Sequence, residues 1–144
     1  GLKKNALFRK TLEKTAEQCG LQGKVSMRDF VDDVELEYKK ADIILNFSES
    51  QSFSITCLEA LFFGRPLIAT DCGGPAEIID HDQTGILVKN RAVGEMAKMM
   101  IKLATDEAVR EQLGQNARIS VREKFSLEKT SFRLMKVYNE ALSR

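Results

Sequence analysis

The chain has 144 residues, of which 43% are hydrophobic and 30% are charged, and its 22 basic and 21 acidic side chains nearly cancel. This composition predicts one soluble globular domain that is long enough to bury a core. No run of one charge sign occurs and basic residues do not alternate with aromatic ones, which argues against nucleic acid as the main ligand.

The predicted elements begin with an amphipathic helix from Leu7 to Cys19, with Gly20 as its stop. A short strand from Lys24 to Met27 and a short helix from Val34 to Lys40 follow. The next predicted elements are a strand at 43–47, a helix at 54–63 that ends before a glycine, a strand at 66–69, a short helix that begins at residue 75 and a strand at 86–88. The rest of the chain predicts helices at 93–104, 106–124 with a weak point near residue 114, and 127–142.

Strands that alternate with helices predict an α/β fold with a parallel sheet and helices on both faces. Four short strands are fewer than the five or six of a complete doubly wound domain. We therefore expect a partial Rossmann-like sheet whose first strands are absent. The exposed edge of such a sheet could pair with a second copy, so a homodimer is one expected assembly.

The segment from Ser50 to Glu59 has the features of a phosphate site. Its small residues let a ligand approach the backbone, and the first free amides of the following helix point at that ligand. Glu59 lies about a turn and a half into the helix, where its carboxylate can accept two vicinal hydroxyls if it faces the cleft. Gln51 would project into the same cleft from the loop.

The ordered pattern SESQSFSITCLEALFFGRPLIATDCGGPAEII, from Ser48 to Ile79, resembles the donor-binding signature of the family 4 retaining glycosyltransferases, which have the GT-B fold. The resemblance covers essentially the whole chain. It implies that residues 1–144 form one nucleotide-sugar-binding domain, the C-terminal half of such an enzyme, which acts with an N-terminal acceptor domain outside this sequence.

In that family a Glu-x7-Glu pair contacts the donor, the first Glu through the sugar hydroxyls and the second through the ribose. Glu59 matches the second, whereas Gln51 stands at the first, the implied catalytic position, and lacks its negative charge. Ser52 and Ser54 add bulk where the family has glycines. The residues implied to bind the donor are Ser52, Phe53, Ser54, Ile55, Thr56 and Glu59.

The resemblance implies transfer of a hexose-type unit from a nucleotide diphosphate sugar, with UDP as the expected nucleotide, to a glycan, lipid or small-molecule acceptor. No metal and no further cofactor are expected. The family clamps the diphosphate with an Arg and a Lys that are absent from this sequence, so the chain alone is expected to be inactive. A cytoplasmic location, with contact to a membrane surface as one option, is expected because no apolar stretch could span a bilayer and no signal peptide is seen.

Two alternatives remain open at this point. Gln51 and the two serines also suit a non-catalytic GT-B-like binding or partner module. A nicotinamide-dependent Rossmann enzyme is less consistent with the sequence, because no G-x-G-x-x-G follows a strand. Several polar residues also have a simpler interpretation: Gln51 as a polar loop residue, Glu77 as a favourable charge at a helix start, and His81 as a solvent-exposed histidine.

Overall fold

The computed structural model describes residues 2–143, with side chains from residue 6 onward. These residues belong to two compact units, one ending at Val34 and the other beginning at Glu35. The elements are α1 Leu2–Gln18, α2 Val34–Lys40, β1 Ile44–Asn46, α3 Ile55–Phe62, β2 Leu67–Thr70, α4 Gly74–Ile78, β3 Ile86–Val88, α5 Val93–Thr105, α6 Glu107–Phe125 and α7 Leu127–Leu142. No helix among residues 2–143 is both long and apolar enough to cross a membrane.

The first unit consists of α1 and the irregular segment that follows it. α1 ends as predicted at Gly20, whose φ of +67° suits a glycine after a helix. The strand predicted from Lys24 to Met27 is wrong, because this segment has no strand hydrogen bonds. The described residues of the first unit, 2–34, contain no other strand to pair with it, and an unpaired strand does not form a sheet. Instead, the carbonyl of Met27 accepts a hydrogen bond from Arg9 Nη2 at 3.1 Å.

The second unit is built on a three-stranded parallel sheet in the order β1-β2-β3. Ile44 pairs with Leu67, and Ile68 pairs with Ile86. These three strands confirm the predicted parallel α/β arrangement. Since the strands are parallel, the loops that follow β1, β2 and β3 meet at one edge of the sheet.

Successive residues of β2 face opposite sides of the sheet, and all four are buried. Leu67 and Ala69 belong to a core that includes α3 and α6, with the members Tyr38, Cys57, Ala60, Leu61, Ile78, Ile79, Ala117 and Val121. Ile68 belongs to the opposite core, which includes β3, α5 and α6 through Ile86, Val88, Leu103 and Leu113. The prediction of helices on both faces is confirmed.

Helix α6 runs without interruption through Gly114, so the weak point predicted there is wrong. A Cβ atom at Gly114 would lie 2.4 Å from the carbonyl oxygen of Gly64. This glycine is therefore a contact point, at which α6 approaches the turn after α3 more closely than a side chain would allow. Gly64 itself has a φ of +63°, which ends α3 as predicted.

Candidate functional site

Backbone hydrogen bonds join the three loops at the carboxyl edge of the sheet. The amide of Gly74 donates to the carbonyl of Gln51 at 2.7 Å, and the amide of Gln51 donates to the carbonyl of Cys72 at 3.4 Å. The amide of Asp71 donates to the carbonyl of Val88 at 2.8 Å. The loop after β1 is thus held by the loop after β2, and that loop by β3.

Gly74 allows the first two loops to touch through their backbones. A Cβ atom at this position would lie 2.6 Å from Cα and 2.7 Å from the backbone nitrogen of Phe53. Neighbouring Gly73 has a φ of +107°, which side chains of L-residues rarely tolerate. These two glycines therefore form a tight turn that lies directly against Phe53.

Asn46, the last residue of β1, is the centre of a polar network that the sequence analysis missed. Its side chain is 8% exposed. Nδ2 lies 3.1 Å from Gln51 Oε1, 2.8 Å from Ser54 Oγ and 3.3 Å from Cys57 Sγ. The structure therefore brings Gln51 and Ser54 together around one buried amide. An asparagine that ends a strand before a serine-rich loop is the signal that could have indicated this role.

The other side of the Asn46 amide faces Ser48. Asn46 Oδ1 accepts hydrogen bonds from Ser48 Oγ at 2.8 Å and from the Ser48 amide at 3.4 Å. The hydroxyl of Thr70, at the end of β2, donates to the Ser48 carbonyl. These contacts fix the start of the loop that leads to Gln51.

Ser54, which the sequence placed as the first residue of this helix, is its N-terminal cap. Its Oγ accepts from the Cys57 amide at 3.1 Å, and its carbonyl accepts from the Leu58 amide at 3.0 Å. The amides of Ile55 and Thr56 in the first turn have no acceptor within the helix. Both residues are exposed, so this helix start can accept an anion from solution.

Glu59 lies one turn further along α3 and is held by Tyr38. Its Oε2 accepts a hydrogen bond of 3.0 Å from the Tyr38 hydroxyl. Tyr38 is 7% exposed, and its ring stacks on Phe63 with a centroid distance of 5.2 Å. Burial, together with the hydrogen bond to Glu59, raises the pKa of the Tyr38 hydroxyl well above its usual range. Tyr38 therefore remains a neutral donor to the Glu59 carboxylate.

The Glu59 side chain also lines a groove of about 220 Å³ between α3 and α6. The other lining residues are Leu58, Phe62, Val121, Arg122 and Phe125. Phe53 meets Phe125 edge to face at 6.3 Å, next to this groove. Among the described residues, no hydrogen bond joins the side chains of Glu59 and Gln51, and each is held by a different partner, Tyr38 and Asn46.

An ion pair that the sequence analysis did not identify ties the first loop to the loop after β3. Arg91 Nε and Nη2 each donate to Glu49 at 3.0 Å, one to each carboxylate oxygen. Asn90 Nδ2 also donates to the Glu49 carbonyl at 2.7 Å. These hydrogen bonds and the positive charge of Arg91 lower the pKa of Glu49. Since 42 positions separate Glu49 from Arg91, no local pattern indicates the pair.

The remaining titratable candidates lie outside this network. His81 is half exposed, and its Nδ1 accepts from the Leu87 amide at 3.0 Å, which gives it a role in a turn. Glu77 lies in the first turn of α4, where an acidic residue is favourable. Within residues 2–143, no group of three or more His, Cys, Asp or Glu side chains could hold a metal ion.

Comparison with known proteins gives consistent matches. Residues 6–120 match the model of the family described as Glycosyl transferases group 1. The chain is 32% identical to the "Uncharacterized glycosyltransferase MJ1607" of Methanocaldococcus jannaschii, over 94% of this chain and 35% of that protein. It is 36% identical to the N-acetyl-alpha-D-glucosaminyl L-malate synthase of Bacillus anthracis, over 71% of this chain and 27% of that protein.

Among solved structures, Anabaena Alr3699/HepE in complex with UDP matches with a TM-score of 0.90 at 20% identity, over 95% of this chain and 38% of that protein. At this level of identity the match concerns the fold, and it agrees with the parallel sheet described above. The chain spans about a third of the length of the relatives it matches.

Proposed function

We propose that this chain, which belongs to the family Glycosyl transferases group 1, is the donor-binding part of a retaining glycosyltransferase that uses a nucleotide diphosphate sugar. The observation that carries the proposal is the start of α3. Its first amides belong to the exposed residues Ile55 and Thr56, and they fall along the chain between Ser54, which bonds to Asn46, and the held carboxylate of Glu59. An anion-binding helix start flanked in this way suits a diphosphate with a sugar on one side and a nucleoside on the other.

The amides of residues 53–56 receive the diphosphate in this proposal. They supply hydrogen bonds to the charge that grows on the leaving diphosphate as the bond to the sugar breaks. Ser52 lies in the same exposed stretch, where its hydroxyl can add a further donor. The proposal assigns no role to a metal ion, since the backbone amides and the positive end of the helix dipole would stabilise the negative charge of the diphosphate.

Glu59 receives the ribose of the nucleoside. One of its oxygens accepts from Tyr38, which leaves the other to accept from a ribose hydroxyl. The groove beside Glu59 is lined mainly by apolar side chains and has room for a ribose and part of a base. UDP is the favoured nucleotide, because the fold neighbour Alr3699/HepE was solved with UDP and with UDP-glucose.

Gln51 receives the sugar, a hexose-type unit, at the other end of the site. The acceptor, a glycan, lipid or small molecule, would bind to a further domain of the whole enzyme. A homodimer through the sheet edge is also part of the proposal, since β1 is an edge strand of the described sheet and an edge strand can pair with another chain.

The proposal is tested by titrating this chain with UDP. Glu59→Gln keeps the size of the side chain but removes the charge that holds the ribose hydroxyls, and we expect the affinity for UDP to fall on the order of tenfold. Glu111→Gln, on the exposed surface of α6, makes the same chemical change away from the site and serves as the control. Equal UDP affinity of the Glu59 variant and the control would overturn the role of Glu59.

One observation favours a second candidate function, a binding module without turnover. The side chain at position 51 is a neutral amide whose oxygen is already bonded to Asn46. It cannot offer the negative charge that would stabilise positive charge at the sugar carbon. Restoring the carboxylate by Gln51→Glu in the full-length protein distinguishes the two functions. A large gain in sugar transfer supports the module, and a loss supports an enzyme adapted to Gln51.

A further inference from the structure

We infer that Gln51, oriented by Asn46, selects a donor sugar that presents an acceptor-only oxygen, with the carboxylate of a uronic-acid sugar as the strongest case. This inference rests on the proposed function, since it names the class of sugar for the same site. It depends on which end of the Gln51 amide is directed at the ligand.

The hydrogen-bond network determines the orientation of Asn46. The Ser48 amide can only donate, and it points at the Asn46 side chain at 3.4 Å. The atom that faces it must therefore be the oxygen, Oδ1, which also accepts from Ser48 Oγ at 2.8 Å. The amide nitrogen, Nδ2, is thereby directed at Gln51 and Ser54.

The orientation of Asn46 in turn determines that of Gln51. Nδ2 of Asn46 is a donor, so the Gln51 atom that lies 3.1 Å from it is the acceptor, Oε1. Asn46 is buried whereas Gln51 is partly exposed. The end of the Gln51 amide that is available to a ligand is therefore Nε2, which offers hydrogens and cannot accept.

A glutamate at this position would behave in the opposite way. One carboxylate oxygen would accept from Asn46 and the other would face the sugar, where it would accept from hydroxyls and repel a carboxylate. Gln51 removes this repulsion and replaces the acceptor with a donor. Specificity is a difference between affinities, and the substitution raises the affinity for sugars whose facing oxygen can only accept.

Within its own loop, the neighbours of Gln51 favour the same kind of ligand. Ser52 and Ser54 are neutral, and the nearest acidic residue of the loop, Glu49, is neutralised by Arg91 at 3.0 Å. A hydrogen bond from an amide to a carboxylate is stronger than one to a hydroxyl, because the acceptor is charged. The carbonyl of an acetamido group is the neutral alternative with the same acceptor-only character.

The test is a ligand-observed NMR titration of this chain with UDP, UDP-glucose, UDP-glucuronic acid and UDP-N-acetylglucosamine. The quantity compared is the ratio of the dissociation constants of UDP-glucose and UDP-glucuronic acid, in which the contribution of the nucleotide cancels. We expect the native chain to favour UDP-glucuronic acid on the order of tenfold. The N-acetylglucosamine arm shows whether a neutral carbonyl is preferred over the carboxylate.

Two variants test the mechanism. Gln51→Glu should reverse the preference in favour of UDP-glucose. Asn46→Asp should turn the Gln51 amide around, because an oxygen at position 46 attracts Nε2, and should remove the preference although Gln51 is unchanged. Gln115→Glu, an exposed glutamine of α6, is the matched control and should leave the ratio unchanged. If Asn46→Asp fails to fold, Gln51→Glu alone decides.

The outcomes separate the inference from the proposed function. Two outcomes overturn the selection of an acceptor-only oxygen and leave the proposed function intact. In the first, UDP binds but the three sugar nucleotides show no difference in affinity. In the second, the preference for UDP-glucuronic acid remains in Gln51→Glu. A preference that survives Asn46→Asp in a folded protein overturns the orienting role of Asn46. Failure of UDP itself to bind overturns the proposed function together with the inference.

Discussion

The two ends of the candidate site are built in different ways. At the end proposed to bind the nucleoside, called the nucleoside end, Glu59 on α3 is held by the buried Tyr38, and both side chains come from helices that pack on the sheet. At the end proposed to bind the sugar, called the sugar end, Gln51 lies on a loop whose shape depends on the Asn46 amide and on contacts with two neighbouring loops. One end is therefore fixed by core packing, and the other by a polar network that a single substitution can rearrange.

This difference indicates where a substitution can change ligand specificity with the smallest effect on the fold. A change at Glu59 or Tyr38 affects the helix pair and the core, whereas a change at Gln51 affects a partly exposed side chain. The nucleoside end is suited to a constant ligand, such as UDP. The sugar end is suited to a ligand that varies among members of a family.

The largest effect is expected where the loops after β1 and β2 touch. Gly74→Ala places a methyl group against the backbone of Phe53, which cannot move aside as a side chain would. We expect the free energy of unfolding to fall by about 1–3 kcal/mol, with loss of UDP binding. Chemical denaturation and a UDP titration measure the two effects.

The control for this substitution is Gly94→Ala in the first turn of α5. A Cβ atom at Gly94 meets nothing within 4 Å. Its expected effect is a gain in stability of up to about 1 kcal/mol, because alanine favours the helix. Equal destabilisation by the two variants would show that the contact between Gly74 and Phe53 is not the cause.

A smaller effect is expected at the nucleoside end. Tyr38→Phe removes the hydroxyl that holds Glu59 and keeps the ring that stacks on Phe63. We expect a loss of about 1 kcal/mol in stability and a fall in UDP affinity of about threefold to tenfold, measured by calorimetry. Tyr138→Phe, at an exposed position of α7, is the matched control, and the same loss of affinity in both variants would contradict the orienting role.

The same hydroxyl predicts a dependence on alkaline pH. The pKa of Tyr38 is raised in the folded state, so its contribution to stability is complete below the pKa of an unfolded tyrosine, about 10. The contribution is lost as the pH rises from that value through the folded pKa. The difference in unfolding free energy between the native chain and Tyr38→Phe should therefore shrink above about pH 10, and a constant difference would contradict this linkage.

The smallest effect is expected at the surface of the sugar end. Glu49→Gln weakens the pair with Arg91, which is exposed to solvent and screened by salt. We expect a slight change in melting temperature but faster amide hydrogen exchange at 48–54 and 89–92. Glu13→Gln, in an exposed pair with Arg9, is the control, and unchanged exchange in both loops would show that the pair does not hold them.

The Glu49 effect should also depend on acid pH. Arg91 lowers the pKa of Glu49 in the folded state, so the contribution of the pair is present above the pKa of an unfolded glutamate. It is lost as the pH falls through the lowered pKa. Exchange rates of the native chain and the variant should therefore converge at acid pH.

The sequence predicted those features that depend on neighbouring residues. Val34–Lys40, Ile86–Val88 and Leu127–Leu142 have the predicted limits, since apolar spacing and turn residues mark them locally. The family was recognised because its motif is one ordered stretch of chain.

The sequence did not predict features that depend on a distant partner. The prediction of a strand at 24–27 was wrong, because a strand forms only when it pairs with another strand. Gly114 predicted a weak point in helix α6. Its role is instead to allow close contact with Gly64, which lies 50 positions earlier in the chain. The bond between Tyr38 and Glu59 spans 21 positions, so no periodicity indicates it.

The order of the strands has a consequence for how the second unit folds. β1, β2 and β3 are neighbours in the sheet in the same order as in the chain, so each strand can dock on the one that precedes it. Contacts between nearby segments form sooner than contacts between distant ones. The Arg91 contact with Glu49 becomes available only after the last strand has docked. On an emerging chain, the loop that carries Gln51 would thus reach its final shape only after the sheet beneath it is complete.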